Sequence, residues 1–455
     1  MKLTCFKAYD VRGVLGKDLD ADVAERIGRA MGEFLGPGQI VVGFDARETS
    51  PILAEALAIG ITERGVDVLE LGLCGTEEVY FATGHLEAAG GVMVTASHNP
   101  IEYNGMKIVG PGSRPLDPTT ELATVKELAE LGRFEPASKQ GVRVPTDLRA
   151  TFARHVADQA DAKAIGPLRL LVNPGNGTAG AAFDKVAETL IADGAQLDIV
   201  RLHHEPDPTF PNGIPNPLIP ANQGQTADQV VVTGADLGIA WDGDFDRCFF
   251  FDETGSIVPG EIVVAILAEA ALTREPGAKI VHDPRVTGAV EATIAAAGGQ
   301  AVVTQTGHAF LKAKMRETGA PYGGEMSAHH YFRDFFYCDS GMIPWVQFVD
   351  ILSRRGKKAS ELVADLRSRF PSSGEINFRV TDANATMEAI VNALSANALS
   401  VDRLDGVSLT FEDWRANVRA SNTEPLLRLN VETRGDPALL ERKVAEMRSL
   451  IQSNS

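Results

Sequence analysis

The chain has 455 residues, three times the roughly 150 of an average domain, so several buried cores are expected rather than one. Its 44% hydrophobic, 23% charged and 6% aromatic residues match soluble globular domains and exclude long disorder or a fibrous array. Against 61 acidic residues stand 43 basic ones; the net charge of −18 is a poor footprint for nucleic acid or an anionic membrane, and any bound phosphate requires a local basic pocket.

Asp20 is a candidate N-cap for a helix whose apolar face carries Val23, Ile27, Met31 and Phe34, with Gly36 as its stop. The buried-strand run QIVV leads into VVGFDAR, a helical stretch to Arg64, the strand VDVLELG and the strand GGVMV, which opens into TASHNP. LRLLVNPGNG, a helix ending near Gly194, the strand AQLDIVRL and LGIAWDGDFDR repeat that order. AKIVHDPR, a helix ending at Gly298 and Gly299, the strand QAVVTQ and PYGGEMSAHH repeat it again. Three α/β units on one plan are predicted, each ending in a polar loop, and open α/β sheets place ligands beyond strand carboxyl ends. After Pro371 the pattern becomes EINFRV, a helix from about Ala383, alternating runs around VSLTF, ANVRA and LLRLNV, and a terminal helix, which predicts a smaller α+β domain. The expected domains are residues 1–150, 151–255, 256–370 and 371–455, with mixed sheets in the first three.

Cys5, Cys74, Cys248 and Cys338 show no short zinc or redox spacing and read as buried thiols of a reducing compartment. The start MKLTCFKAYDVRG has no continuous apolar stretch, and the most apolar run, residues 262–272, is short for a bilayer and contains Glu269. A cytoplasmic enzyme fits best.

In TASHNP, a short strand delivers Ser97 on a loop beside His98, as a candidate nucleophile or phosphorylation site or, alternatively, half of a turn-stabilising Ser/Asn pair. Flanking glycines of a hydrolase elbow are absent. In DGDFDR, Asp242, Asp244 and Asp246 on an extended segment project to one side as hard oxygen ligands. Asp244, Asp246 and Glu253 fall where an EF-hand has ligands, but Arg247 stands where that loop requires glycine and the flanks read as strands. Magnesium shared with a phosphoryl oxygen fits better, with Arg247 as a second cation; a solvated acidic turn is the plain alternative.

GNGTAG matches a dinucleotide-binding spacing after a strand, but Asp198 is poorly placed for a ribose, and a tight strand-to-helix turn is the better reading. In GEMSAHH, Glu325, Ser327 and His329 stand at alternate positions and aim one way if the loop is extended, which suits sugar hydroxyls; the pair His329 and His330 lacks further ligands for a metal. The aromatics after it, Tyr331, Phe332, Phe335, Phe336 and Tyr337, read as core. RASNTEP presents Arg419, Ser421, Asn422 and Thr423 between two strands, donors that a phosphate accepts from, or a plain Asn/Thr turn.

TASHNP, DGDFDR, GEMSAHH and RASNTEP, in that order and one per domain, resemble the four signature loops of the α-D-phosphohexomutases. YDVRG, IEYNGMKI and TGHAFLK extend the resemblance over essentially the whole chain, and GEMSAHHYFRDFFYCDSGM is similar to the bacterial phosphomannomutase branch, which includes enzymes acting on glucose phosphates. The resemblance implies a four-domain enzyme around a central cleft that interconverts mannose 6-phosphate and mannose 1-phosphate, and the corresponding glucose phosphates, through a phosphoserine and a hexose 1,6-bisphosphate that serves as intermediate and activator. It implies phosphate on Ser97; Mg²⁺ held by that group with Asp242, Asp244 and Asp246; Glu325 and Ser327 on the sugar; and Arg419, Ser421, Asn422 and Thr423 on the non-reacting phosphate. By the same resemblance Arg12 and Lys107 lie near the phosphoserine as candidates for charge stabilisation and proton transfer, and His308 and His329 line the sugar side. A monomer or weak homo-oligomer is expected. A phosphoglucomutase, a phosphoglucosamine mutase, an NAD-dependent oxidoreductase resting on GNGTAG and a non-catalytic metal binder resting on DGDFDR are the alternatives.

Overall fold

The computed structural model describes residues 1–135, 137–420 and 426–453. The chain forms two compact units, Met1–Ile257 with Asp334–Gly356, and Val258–Arg333 with Lys357–Ser455.

In the first unit a mixed sheet runs Val11–Val14, Tyr103–Val109, Gly90–Val94, Gln39–Phe44, Asp67–Leu73, Arg143–Pro145. The first two pairings are antiparallel and the rest parallel. The helix Ala21–Leu35 begins where Asp20 accepts a hydrogen bond from the Val23 N–H and ends at Gly36, whose φ of 71° suits a residue without Cβ. Val23, Ile27 and Met31 are buried with Ile40, Val42 and Val94 in one core. A second sheet runs Cys248–Asp252, Leu237–Trp241, Leu168–Asn173, Leu197–Arg201, antiparallel at its first pairing and parallel after it.

Among the helices of this unit that the sequence reading does not include, one bears directly on the site. Thr76–His85 lies between the strands Asp67–Leu73 and Gly90–Val94, and it is buried continuously from Thr76 to Thr83, so it lacks the apolar stripe that reveals a surface helix. Its Glu77 is fully buried and accepts from the N–H groups of Gly341 and Met342 at 3.2 and 2.9 Å, at the start of the helix Met342–Arg355.

In the second unit the strands Gln300–Val303, Lys279–His282, Tyr322–Gly324 and His330–Phe332 lie in that order, the last pairing antiparallel. Next to helix Gly260–Arg274, whose first eight residues after Gly260 are all buried, these strands form the third α/β layer. A wholly antiparallel sheet runs Ser372–Arg379, Leu426–Thr433, Trp414–Ala420, Val407–Thr410, Ser400–Asp402. Helices Ala383–Leu394 and Pro437–Ser453 contribute Met387, Ile390, Met447 and Ile451 to a core with Val418 and Leu429. Among the described residues there are thus four sheets: three in mixed α/β layers and one in an antiparallel α+β layer.

The three α/β layers share a local device. The strands Gln39–Phe44, Leu168–Asn173 and Lys279–His282 are each the first parallel strand of a layer. At or just after their ends Asp45 accepts from Arg47 N–H at 3.0 Å, Asn173 from Gly175 N–H at 2.9 Å and Asp283 from Arg285 N–H at 2.9 Å. Each is a side-chain turn of the kind Asp and Asn favour. The four cysteines are free and buried, and burial pushes the Cys5 thiol up to about 11. Among the described residues no helix is long and apolar enough to cross a membrane.

Candidate active site

Ser97 follows the strand Gly90–Val94, is 4% exposed, and has φ 49°, left-handed backbone that a serine adopts only when its surroundings impose it. Its N–H donates to Thr95 Oγ1 at 2.8 Å. Its Oγ donates to Asp242 Oδ2 at 2.7 Å and lies 2.9 Å from His98 Nδ1. His98 Nδ1 is itself 3.6 Å from Asp242 Oδ2. Burial, with Arg247 and Arg12 nearby, lowers the His98 pKa and keeps the imidazole neutral.

DGDFDR is a turn rather than the extended segment expected from its alternation. Phe245, at φ 45°, donates its N–H to Asp242 O at 3.2 Å. The turn is anchored by the aromatic ring: Phe245 is fully buried and packs where a Cβ on Gly75 would lie only 2.0 Å from its Cε1. Folding back in this way still brings one oxygen each of Asp242, Asp244 and Asp246 within 4.8 Å of one another, all three residues buried. Thr76, at the start of the unpredicted helix, donates from Oγ1 to Asp244 Oδ2 at 2.5 Å and from N to Asp244 O at 3.1 Å.

Lys107 donates to Asp244 Oδ2 at 2.7 Å and to Asp246 Oδ2. Burial opposes the charge on Lys107, but the carboxylates of Asp244, Asp246 and Asp242 outweigh it, so its pKa is raised and the ammonium is firmly protonated. Burial likewise opposes the Asp242 charge, and His98, Arg247 and Lys107 reverse that, lowering its pKa. Arg247 donates its N–H to Asp242 Oδ1 at 3.3 Å. Arg12 donates to Asn99 Oδ1 at 2.5 Å and to Asp10 Oδ2 at 2.8 Å. The first unit therefore brings together Ser97, His98, Arg12, Lys107, Arg247 and the three aspartates.

Three converging carboxylates are a hard-oxygen donor set, and Asp244 Oδ1 is a buried atom with no hydrogen-bond partner. Both observations fit a divalent cation such as Mg²⁺. GNGTAG serves this loop rather than a nucleotide. Thr178 donates to Gly243 O from N at 3.1 Å and from Oγ1 at 3.2 Å, and a Cβ on Gly177 would come within 2.7 Å of the same oxygen.

In the second unit Glu325 is 3% exposed and accepts from Gly307 N–H at 2.8 Å and Tyr331 Oη at 2.7 Å. Its loop is also a turn, not extended. Ala328, at φ 67°, donates N–H to Glu325 O at 3.1 Å, and Glu325 N–H donates to His329 O at 2.9 Å. Arg285, fixed by Asp283 at 2.7 Å, donates to Ser327 Oγ at 3.3 Å and lies 3.9 Å from Glu325 Oε1. His329 Nδ1 sits 3.2 Å from Tyr331 Oη. His308 opens the helix His308–Thr318 directly after Gly307. Tyr331, Phe332 and Phe335 are buried, as core residues should be; Phe336 and Tyr337 are only partly so.

Arg419 is 6% exposed and donates from Nη2 to Glu375 Oε2 at 3.2 Å; Ser421, Asn422 and Thr423 lie outside the described residues. Sequence reasoning named neither the pairs Asp45–Arg47 and Asp283–Arg285 nor Thr76 and Glu375. The signal for the first two was present: each pair follows the end of a first parallel strand, where open α/β sheets place ligand groups.

Family models described as phosphoglucomutase/phosphomannomutase alpha/beta/alpha domains I, II and III and C-terminal domain match residues 3–133, 150–255, 259–370 and 375–450. A phosphomannomutase of Salmonella montevideo is 51% identical over 453 residues, covering 99% of each chain, and one of Escherichia coli K12 is 51% identical over 452 residues, again 99% of each. A crystal structure of a phosphoglucomutase/phosphomannomutase family protein from Burkholderia thailandensis superposes with a TM-score of 0.86 at 32% identity, over 99% of this chain and 97% of that one. With matching models along nearly its full length and close relatives at half identity, the chain belongs to the phosphoglucomutase/phosphomannomutase family.

Proposed function

We propose that this protein is a phosphohexomutase that interconverts mannose 6-phosphate and mannose 1-phosphate and acts on the glucose phosphates as well. The observation that carries the reading is the Ser97 hydroxyl, 2.7 Å from one of three converging buried carboxylates that Lys107 and Arg247 contact, in a chain half identical to phosphomannomutases. Ser97 carries a phosphoryl group. The bond from phosphorus to Ser97 Oγ breaks as a bond to the free hydroxyl oxygen of a hexose monophosphate forms, giving the 1,6-bisphosphate. The intermediate then turns end for end, and its other phosphate returns to Ser97.

Lys107, held protonated, and Arg12 and Arg247 supply fixed positive charge around the travelling phosphoryl. His98, held neutral beside Ser97 Oγ, is the group able to take up or return a proton there. Asp242, Asp244 and Asp246, with an oxygen on Ser97, would hold Mg²⁺, whose charge offsets that of the phosphoryl oxygens. Glu325 and Ser327 bind sugar hydroxyls, with His308 and His329 beside them, and Arg419, Ser421, Asn422 and Thr423 bind the phosphate that does not react. The functional division is thus residues 1–150 for the phosphoserine loop, 151–255 for the metal loop, 256–370 for the sugar loop and 371–455 for the phosphate loop. Four buried thiols suit a reducing compartment, and a cytoplasmic monomer or weak homo-oligomer is part of the proposal.

The test is intact-mass and peptide mapping of the purified protein together with turnover of mannose 1-phosphate in Mg²⁺ and a hexose 1,6-bisphosphate. One phosphate on Ser97, and loss of turnover in Ser97→Ala, is the expected result. A Ser97→Ala enzyme within about tenfold of wild type, equivalent to ~1.4 kcal/mol in barrier, defeats the reading.

A further inference from the structure

Arg47 is among the most buried charged residues of the protein, 2% exposed, and it touches neither a metal-ligand oxygen nor any group assigned to substrate. A buried guanidinium is costly unless its donors are matched, so where those donors go reveals what it is for. Nη1 donates to Pro100 O at 3.0 Å and Tyr103 O at 3.1 Å. Nη2 donates to Ser97 O at 3.0 Å and Asn99 O at 2.6 Å. Nε stands 3.5 Å from Asp45 Oδ2, and Asp45 is fixed in turn by the Arg47 N–H and by Ser50 Oγ at 2.5 Å. All four acceptors are backbone carbonyls, three in the loop that carries Ser97 and one on Tyr103, the first residue of the strand that follows it.

That loop is in a conformation it would not choose alone. Four carbonyls converge on the one guanidinium, Pro100 O while also accepting the Tyr103 N–H at 3.0 Å, and Ser97 has φ 49°. The Ser97 carbonyl is also the surface on which the metal loop rests: a Cβ on Gly243 would lie 2.9 Å from Ser97 O. The grip of Arg47 therefore fixes one peptide whose side chain meets Asp242 and whose carbonyl abuts the metal loop. The same device recurs in the third α/β layer, where Arg285 leaves the equivalent Asp turn to reach Ser327 and Glu325. In the second layer Thr178, beyond the equivalent turn, donates to Gly243 O. In each layer the turn after the first parallel strand braces the loop that bears the candidate chemistry.

We propose that Arg47 is a positioning residue: its fork, anchored by Asp45, holds the Ser97 loop in the one geometry in which the Ser97 oxygen gives and receives the phosphoryl group. This rests on the phosphoserine reading above. The need is for a fork and not for charge, since none of the four acceptors is anionic and a lysine ammonium cannot span carbonyls on two sides.

The experiment compares wild type, Arg47→Lys and Arg47→Gly as full-length chains, measuring kcat, KM for mannose 1-phosphate, the rate of Ser97 phosphorylation by glucose 1,6-bisphosphate, and thermal unfolding. Displacement of the reacting oxygen predicts that Arg47→Lys loses about a hundredfold in kcat and in phosphorylation rate. KM should stay within about threefold, because sugar and distal phosphate are held by other residues. Guanidinium ion at millimolar concentration should restore part of the turnover of Arg47→Gly, and methylammonium should not. A folded Arg47→Lys with kcat within about threefold of wild type, a KM rise that accounts for the loss, or equal rescue by methylammonium overturns the proposal. If neither variant folds, Ser50→Ala takes their place. It removes a hydroxyl that donates to Asp45 and accepts from Asn104 Nδ2, and a kcat unchanged from wild type then counts against positioning, whereas a severalfold fall at constant KM supports it. Ser97→Ala separates the two claims: an active Ser97→Ala removes the phosphoserine, while an inactive one beside a fully active Arg47→Lys removes only the role of Arg47.

Discussion

Arg419 donates to the carboxylate of Glu375 at 3.2 Å, and that carboxylate also has Arg428 at 3.3 Å and Arg285 at 3.7 Å. One anion therefore serves three guanidiniums. Burial and the neighbouring Arg285 lower the Arg419 pKa, so Glu375 is what makes this clustering tolerable. A substrate phosphate taken by Arg419, as proposed above, would compete with this internal carboxylate.

Two substitutions with opposite signs follow. Arg419→Ala removes a charge-assisted contact of ~1.5–3 kcal/mol and should raise KM by roughly ten- to a hundredfold. Glu375→Gln keeps the shape but removes the competing charge, so inorganic phosphate should bind about three- to tenfold more tightly while the melting temperature falls, because three guanidiniums lose the carboxylate they share. Calorimetric titration with phosphate checks both. An unchanged KM in Arg419→Ala places the phosphate elsewhere, and weaker phosphate binding in Glu375→Gln means that the carboxylate assists rather than competes.

Asp244→Asn is the sharpest probe of the metal loop. It preserves the contacts with Thr76, yet takes away charge that both Lys107 and a divalent cation require. Mg²⁺ binding should weaken and kcat should fall by about a hundredfold, the scale expected when one preorganised charge is lost. Turnover of the wild type should vanish in EDTA and return with Mg²⁺. Equal activity of the wild type with and without chelator rules the metal out.

The elements that were legible in the sequence are those with a clean period or stop. Asp20, the Val23, Ile27, Met31 stripe and Gly36 delimit a helix because capping and amphipathicity are local. The four polar loops were legible as chemistry for the same reason: their residue types are adjacent. The helix Thr76–His85 was not, since burial on all sides erases the period. The turns at Phe245 and Ala328 were not, because a positive φ on a residue other than glycine leaves no mark. The role of Arg47 was hidden most deeply, for its partners are carbonyls some 50 positions away, and a backbone acceptor has no side chain to read.

Sugar choice is open to a direct measurement. Glucose and mannose differ in configuration at C2 alone. If Glu325 and Ser327 hold the 3- and 4-hydroxyls, no buried partner is left unpaired when C2 inverts, and selectivity should be only about 1–3 kcal/mol, roughly tenfold to two hundredfold. Coupled assays with each sugar 1-phosphate decide it. A ratio of kcat/KM beyond about ten thousandfold means that the C2 hydroxyl is read directly. Glucosamine phosphate should be the poorest of the three.

The sugar loop also carries an acid limit to stability. His330, directly after this loop, is fully buried, with Nδ1 2.9 Å from Tyr322 Oη, and burial lowers its pKa to about 3. Burial holds the Tyr322 pKa well above its ordinary value, so that hydroxyl keeps its proton and can donate it to a neutral imidazole. An unfolded histidine titrates near 6.5, so the folded state binds fewer protons below that pH. The contribution of His330 is therefore complete above about pH 6.5 and is lost as pH falls from there towards 3. In that window each pH unit should cost the wild type up to ~1.4 kcal/mol through this one proton. Because Gly324 pairs with His330 across the antiparallel strands, the loss should loosen the Glu325 loop first. Urea unfolding of wild type and His330→Asn between pH 7 and 4 provides the check. The variant should start less stable at pH 7 and show the shallower acid slope, so that the two curves converge; parallel curves would mean that His330 takes up its proton without penalty in the folded protein.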